Sequence, residues 1–419
     1  MKLAVVGGGS TYTPELVDGL ARLSFGVTEL VLADPDASRL SVVGPFATRI
    51  MARYGHPAKV TWTADLKAAV DGAAAVLLQL RVGGQATRHK DETWPLEYGC
   101  IGQETTGAGG FAKALRTVPV VLEVAERIRA RALPDAWIID FTNPVGIVTR
   151  ALLDAGHRAI GLCNVAIGYQ RTFASLLSVE PEQVALDHVG LNHLTWERAA
   201  VVDGADRLPE LLAGHGEEIA LHTGLPLAVT ADSGAVPSYY LRYYWAHDAV
   251  VESERGQPTR AETVAAIEQQ LLSMYADPAL DTKPELLTHR GGAFYSEAAV
   301  ALLSALVTDA GDRQVVNLRN RGTLPFLADE AVIEVAAVIG AEGATPVPVP
   351  PVSPLLAGLI AHMSAYEELA VDAVLRGGRD RVARALLAHP LVGQYDLAQQ
   401  LTDRLLAENA AFLPWAGGQ

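Results

Sequence analysis

Three consecutive glycines at the end of a short apolar run set the strongest limit on how this chain folds. Leu3-Ala4-Val5-Val6 leads into Gly7-Gly8-Gly9-Ser10-Thr11-Tyr12, and Thr13-Pro14-Glu15 reads as the opening of a helix. Glycine permits the tight turn and close backbone approach needed where a strand runs straight into a helix, and the helix N-terminus attracts a pyrophosphate. Tyr12 stands where the usual fingerprint has its third glycine, so a generic glycine-rich turn is the competing reading. The first third of the chain repeats the strand-then-helix pattern, with strands expected at 3–6, 30–32, 59–61, 75–80, 137–141 and 159–162. This order predicts an α/β fold: a Rossmann-type parallel sheet of six strands, ending near residue 165. The remainder reads as a mixed α/β, helix-rich second domain. It holds a strand-like stretch at 186–202, helical segments around 261–276, 330–339 and 354–367, and an extended proline-rich crossing at 345–354. A chain of 419 residues exceeds one simple core, and the expected domains are 1–165 and 166–419.

Composition narrows the function. A formal charge of −15 argues against a nucleic-acid or anionic-membrane surface, so a phosphorylated ligand would need a locally basic pocket. Half of the residues are hydrophobic and 19% are charged, which excludes extensive disorder. Cys100 and Cys163 are the only cysteines, too few for a disulfide framework, and a reducing cytoplasm is the expected compartment. The N-terminal apolar run is too short for a signal peptide, and no segment offers the roughly 20 apolar residues of a membrane span.

Four motifs carry chemistry. Asp34 ends the second strand in Val31-Leu32-Ala33-Asp34, where a carboxylate bonds a ribose hydroxyl and disfavours a 2′-phosphate; this points to NAD over NADP. The expected cofactor set is Gly7, Gly8, Gly9, Ser10, Thr11, Asp34 and Arg39. Next come Gln79-Leu80-Arg81-Val82-Gly83-Gly84, Arg88, and the loop Gly102-Gln103-Glu104-Thr105-Thr106-Gly107-Ala108-Gly109-Gly110. Arg88 could grip a phosphate by paired hydrogen bonds, against the plainer reading of a solvated arginine. The third motif joins Phe141-Thr142-Asn143-Pro144, Cys163-Asn164-Val165 and Asn192-His193. Cys163 could be a small buried hydrophobe, or it could supply thiolate to a metal while His193 supplies imidazole. Two ligands leave positions open for substrate oxygens and water. The fourth is Tyr239-Tyr240-Leu241-Arg242-Tyr243-Tyr244, with Arg260 following. Most of these aromatics read as core, but a phenol near a metal and an arginine could fall from about 10 toward working pH and take a proton from carbon.

Together these motifs resemble glycoside hydrolase family 4, the NAD- and divalent-metal-dependent glycosidases, in order and over most of the chain. The resemblance implies that Cys163 and His193 hold the metal, with manganese expected and other divalent ions possible. It implies Tyr240 as the base, a catalytic place for Asn164, and substrate contacts from Arg88, Asn143, Asn164 and Arg260. Asparagine after the metal cysteine is the pattern of members acting on 6-phosphorylated β-glucosides, where α-acting members carry aspartate. Ala166 replaces a common proline, which alters local stiffness and leaves the ligand set intact. The implied reaction is oxidation at sugar carbon 3, deprotonation at carbon 2, elimination of the aglycone and addition of water. A small phosphorylated glucoside is the expected partner, with a homodimer or homotetramer as the expected assembly. The alternatives are an α-linked or unphosphorylated sugar, a lactate- or malate-type dehydrogenase, for which Asn143-Pro144-Val145 would also suit, and a non-enzymatic NAD-sensing module.

Overall fold

The computed structural model describes residues 1–292 and 294–416. Each strand expected in the first third forms: β1 (Lys2–Val6), β2 (Glu29–Ala33), β3 (Lys59–Thr63), β4 (Ala75–Leu78), β5 (Trp137–Asp140) and β6 (Ala159–Gly161). All six are parallel, in the order β3-β2-β1-β4-β5-β6. Helices Thr13–Arg22, Ala37–Arg53, Gly107–Arg131 and Val145–Asp154 supply the crossovers. Strands covered on both faces can be apolar throughout, which is why β4 is buried at every residue. Strand order reverses between β1 and β4, and at such a switch point the carboxyl ends of the strands open a crevice.

The stretch at 186–202 resolves into a hairpin. β7 (Ala185–Leu191) and β8 (Leu194–Val202) pair antiparallel with Leu191 opposite Leu194, so Asn192 and His193 form the two-residue turn. β9 (Ala205–Asp206) and β10 (Val236–Pro237) complete this small sheet.

Two expectations are corrected. The large sheet does not end near residue 165. β11 (Asp312–Arg319) joins β6 through Asn317 and Gly161, and β12 (Val332–Gly340) and β13 (Gly343–Pro346) follow, all antiparallel, making nine strands. The segment around 330–339, expected as helix, is β12. Its run Val332-Ile333-Glu334-Val335-Ala336-Ala337 is buried without a break, so burial gives it no period of two to read. Its β-branched residues suit a central strand.

Helices Arg260–Tyr275 and Pro354–Arg376 form where helical spacing was read, the first shifted by one residue and the second extended at its C-terminal end. Thr259 caps the former reciprocally with Glu262. This helix packs on Ala37–Arg53, and Tyr295–Thr308 packs on Thr13–Arg22, so the second half of the chain closes over the carboxyl edge of the sheet.

Candidate active site

The glycine loop lies where β1 turns into helix Thr13–Arg22. Gly7 and Gly8 both donate their N–H to the Ala33 carbonyl at 2.9 Å, tying the loop to the end of β2. Gly7 has φ +88°, and a Cβ there would lie 2.5 Å from the Gln79 carbonyl oxygen. A Cβ on Gly8 would lie 2.8 Å from Leu32 Cα. The cradle therefore exists only because these positions are glycine. Asp34 Oδ2 accepts from Gly9 N at 3.0 Å, and Arg39 Nε donates to the Gly9 carbonyl at 2.9 Å. Such a turn, with an open helix N-terminus and an acidic residue closing β2, has the features that hold a dinucleotide.

Tyr12, the departure from the fingerprint, has a structural use. Its hydroxyl donates to the Gly292 carbonyl, and its ring fills the space that a Cβ on Gly292 would need. Arg290 Nε donates to Thr11 Oγ1 at 2.8 Å, and its Nη2 reaches Glu268 Oε1 at 3.1 Å. Glu268 also faces Arg39 Nη2 at 3.5 Å. The loop is thus clamped by residues far along the chain.

From here a cavity of about 1000 Å³ runs along the carboxyl ends of β1, β4 and β5. Its wall includes Gly7, Ser10, Asp34 and Arg39 at one end, and Arg88, Asn143, Asn164, His193, Tyr240 and Arg260 at the other. Of the expected set, Gly8, Gly9, Thr11 and Cys163 do not line it; Thr11 and Cys163 are buried beneath it. Six cationic side chains, Arg39, Arg81, Arg88, Lys113, Arg260 and Arg290, face four acidic ones, Asp34, Asp36, Glu104 and Glu268. In a chain of charge −15 this is the locally basic pocket that composition demands of a phosphate site.

Glu104 organises its centre. It meets Arg81, accepts from Lys113 Nζ at 2.7 Å, and faces Arg88 Nε at 3.2 Å. Burial opposes its charge, but these three cations together hold its carboxyl well below the usual range. Burial lowers Lys113 to about 8 despite Glu104. Arg88 also gives its Nε to Glu92 Oε1 at 2.6 Å, so it is anchored and not a solvated side chain. Burial and the neighbouring Arg88 charge both lower the pKa of Arg260. Two guanidinium groups that repel each other on one wall favour an anion beside them.

The other end combines His193, Asn143, Asn164 and Tyr240. His193 sits in the hairpin turn with φ +63°, unusual for a residue with a side chain. Burial lowers its pKa to about 4, leaving a neutral imidazole whose buried Nδ1 has no hydrogen-bond partner among the described residues. Asn143 Oδ1 is a second buried atom without a partner among the described residues. Cys163 lies two residues past the end of β6, 5% exposed. A neutral imidazole and a sulfur suit a borderline-soft divalent cation, and two protein ligands would leave it open to a substrate. Among the described residues no group of three or more His, Cys, Asp or Glu is arranged to hold a metal, so additional donors would come from the ligand and water. The Tyr240 ring stacks on His193 with centroids 3.8 Å apart and planes 9° from parallel.

Without a cation the phenol is held in its neutral form. Burial, followed by Cys163, Tyr243 and Glu104, pushes Tyr240 well above its ordinary value.

Sequence reading missed Lys113, Glu268, Arg290 and Tyr295, which line the same cavity. Lys113 was legible as one cation among Phe111, Ala112, Ala114 and Leu115, all buried on one helix. Arg290 and Tyr295 flank Gly291-Gly292, where both glycines have positive φ. Glu268 gave no local signal.

The doubly wound sheet, its glycine cradle and the basic cavity at its switch point define a dinucleotide-type α/β protein with a second polar site beside the first. Comparison with known proteins makes the class specific. The family description Family 4 glycosyl hydrolase matches residues 2–179, and Family 4 glycosyl hydrolase C-terminal domain matches 188–392. The chain belongs to this family. It is 32% identical to the 6-phospho-beta-glucosidase of Escherichia coli K12 over 99% of this chain and 96% of the relative. A 6-phospho-beta glucosidase from Thermotoga maritima, solved with manganese, NAD+ and glucose-6-phosphate, superposes with TM-score 0.91 at 33% identity, covering 99% of both chains. A 6-phospho-alpha-glucosidase from gut microorganisms, solved with NAD and Mn2+, gives TM-score 0.90 at 26% identity, again over 99% of each.

Proposed function

We propose that this chain hydrolyses 6-phosphorylated β-glucosides, with NAD and a divalent cation, preferably Mn²⁺, as cofactors. The reaction runs by oxidation at sugar carbon 3, loss of the carbon 2 proton, departure of the aglycone from carbon 1 and addition of water. The observation that carries this reading is the single cavity whose wall holds the glycine cradle at one end and the stacked His193–Tyr240 pair at the other. Of the four carboxylates on the cavity wall, neither of the two buried ones, Glu104 and Glu268, suits the two-acid route of ordinary glycosidases. Glu104 is engaged by three cations, and Glu268 by Arg39 and Arg290.

Bound in the site, the nicotinamide would accept and return a hydride while the cation polarises the sugar oxygens. The chain's own residues supply the rest. The glycine loop, Ser10, Thr11, Asp34 and Arg39 would hold the dinucleotide, with Asp34 on the ribose. Cys163 and His193 would hold the cation from one side. Arg88 and Arg260 would take the phosphate, with Asn143 and Asn164 orienting the sugar. Tyr240 would remove the carbon 2 proton, from a ring fixed by its stacking on His193. The β preference rests on Asn164 and on the β-acting relatives being the more similar in sequence.

The division into 1–165 for the cofactor and 166–419 for substrate, metal and subunit contacts belongs to this proposal. The cavity draws on both parts, setting Arg88 beside Arg260. A dimer or tetramer would cover exposed apolar side chains such as Leu221, at 85% exposure, and Tyr395, at 66%. Two buried free cysteines suit the cytoplasm.

The test is nitrophenol release from 4-nitrophenyl β-glucoside 6-phosphate, with NAD⁺ and Mn²⁺ omitted in turn. Cleavage that needs both supports the reading. Cleavage only of the α-linked or unphosphorylated analogue would overturn the substrate assignment while leaving the family intact.

A further inference from the structure

Behind Cys163 and the His193 turn the core is polar. Glu334 of β12 uses both of its oxygens: Oε1 faces His188 Nε2 at 3.1 Å, while Oε2 accepts from Asn192 Nδ2 at 3.0 Å and Asn317 Nδ2 at 2.8 Å. His188 Nδ1 faces Glu197 Oε1 at 2.6 Å. With a carboxylate oxygen at each ring nitrogen, His188 donates from both. His188, Glu197 and Glu334 are all 1% exposed, and Asn317 is fully buried. The Asn192 side chain also lies beside the Cys163 thiol. Asn192 is the turn residue before His193, whose strained backbone and unpartnered Nδ1 need support from outside the turn.

Stability alone does not explain such a cluster. Apolar residues of similar volume in place of a buried ion pair are often neutral or stabilising. What the cluster does achieve is positional. Through one carboxylate it fixes β7, β11 and the hairpin turn against β12. Metal ligands commonly depend on hydrogen-bonded neighbours of this kind for orientation.

We infer that Glu334 and Asn192 are positioning residues for the divalent cation. Glu334, anchored by His188 and Asn317, fixes the Asn192 side chain, and Asn192 fixes the turn that presents His193 beside Cys163. This rests on the reading of Cys163 and His193 as the cation's ligands.

The experiment titrates Mn²⁺ alone into the full chain by calorimetry, and NAD⁺ separately, for the parent, Asn192→Ala, Glu334→Gln and His193→Ala. Asn192→Ala and Glu334→Gln should weaken Mn²⁺ binding by about 10- to 100-fold. Their NAD⁺ affinity should stay within about twofold of the parent, because the cradle lies on other elements, whereas general loosening would move both. Asn192→Ala binding Mn²⁺ as tightly as the parent overturns the inference. If Glu334→Gln does not fold, Asn192→Ala decides alone. A parent that binds no Mn²⁺, or a His193→Ala chain that binds it unchanged, overturns the ligand reading itself, and the positioning role falls with it.

Discussion

Tyr240 and His193 meet ring against ring at 3.8 Å, so the proposed base and one proposed metal ligand share a wall. Tyr240→Phe keeps the stacked ring and removes only the hydroxyl. The account predicts a fall in kcat of about 10²- to 10⁴-fold, the usual range for a positioned proton-transfer group. Mn²⁺ affinity should be unchanged, as read by calorimetry; a variant within threefold of the parent in kcat would remove Tyr240 from the mechanism. At the cradle, Gly7→Ala combines a φ of +88° with a Cβ placed 2.5 Å from a backbone oxygen. It should cost about 1–3 kcal/mol of stability by overpacking and weaken NAD⁺ binding more than tenfold, measured by denaturant unfolding and by fluorescence titration. Normal NAD⁺ affinity would place the cofactor elsewhere. Gly7, Asp34 and His193 were legible in the sequence because each sits beside a strand end with a turn signal. Glu268 and Arg290 were not, since their part in the site depends on helices that return from more than 200 residues away.

At the scale of elements, most of the first six strands were legible as short apolar runs, with Gly7, Asp34 and Asp140 marking the ends of β1, β2 and β5. β12 was not, since a buried run with a single carboxylate reads equally well as one face of a helix. That carboxylate, Glu334, is the one that His188 holds. Burial opposes charge on His188, but Glu197 and Glu334 raise its pKa to about 10, against about 6.5 in an unfolded chain. A raised histidine value favours folding fully below the unfolded pKa, and the benefit is lost as pH climbs through the folded one. Replacing His188 leaves Glu197 and Glu334 buried without their cationic partner, so His188→Gln should be destabilised by about 3–5 kcal/mol near neutral pH. The gap between parent and variant in denaturant midpoint should narrow as pH rises from about 6.5 toward about 10. A gap that widens over this window would show that His188 is not charged in the folded chain.

Taken as a whole, the molecule sets a basic cavity inside an acidic envelope, which favours a small anionic ligand over a polyanion that would have to approach the outer surface. Arg88 and Arg260 stand together on its wall with mutually opposed charge. Arg260→Ala should therefore raise KM for a 6-phosphorylated glucoside by more than tenfold while changing KM for the unphosphorylated analogue little, measured by initial rates. Equal effects on both would assign Arg260 to the sugar and not to the phosphate. The fold class and the two ends of the cavity followed from sequence; the shared nine-stranded sheet that holds them in one piece needed the structure.

The central claim is that the glycosidic bond is cleaved by elimination after carbon 2 loses its proton. Hydrolysis of 4-nitrophenyl β-glucoside 6-phosphate in deuterated water, with NAD⁺ and Mn²⁺ present, tests this directly by NMR of the released glucose 6-phosphate. The account predicts deuterium at carbon 2. Product that retains protium at carbon 2 throughout turnover would contradict it and return the chain to direct displacement at carbon 1.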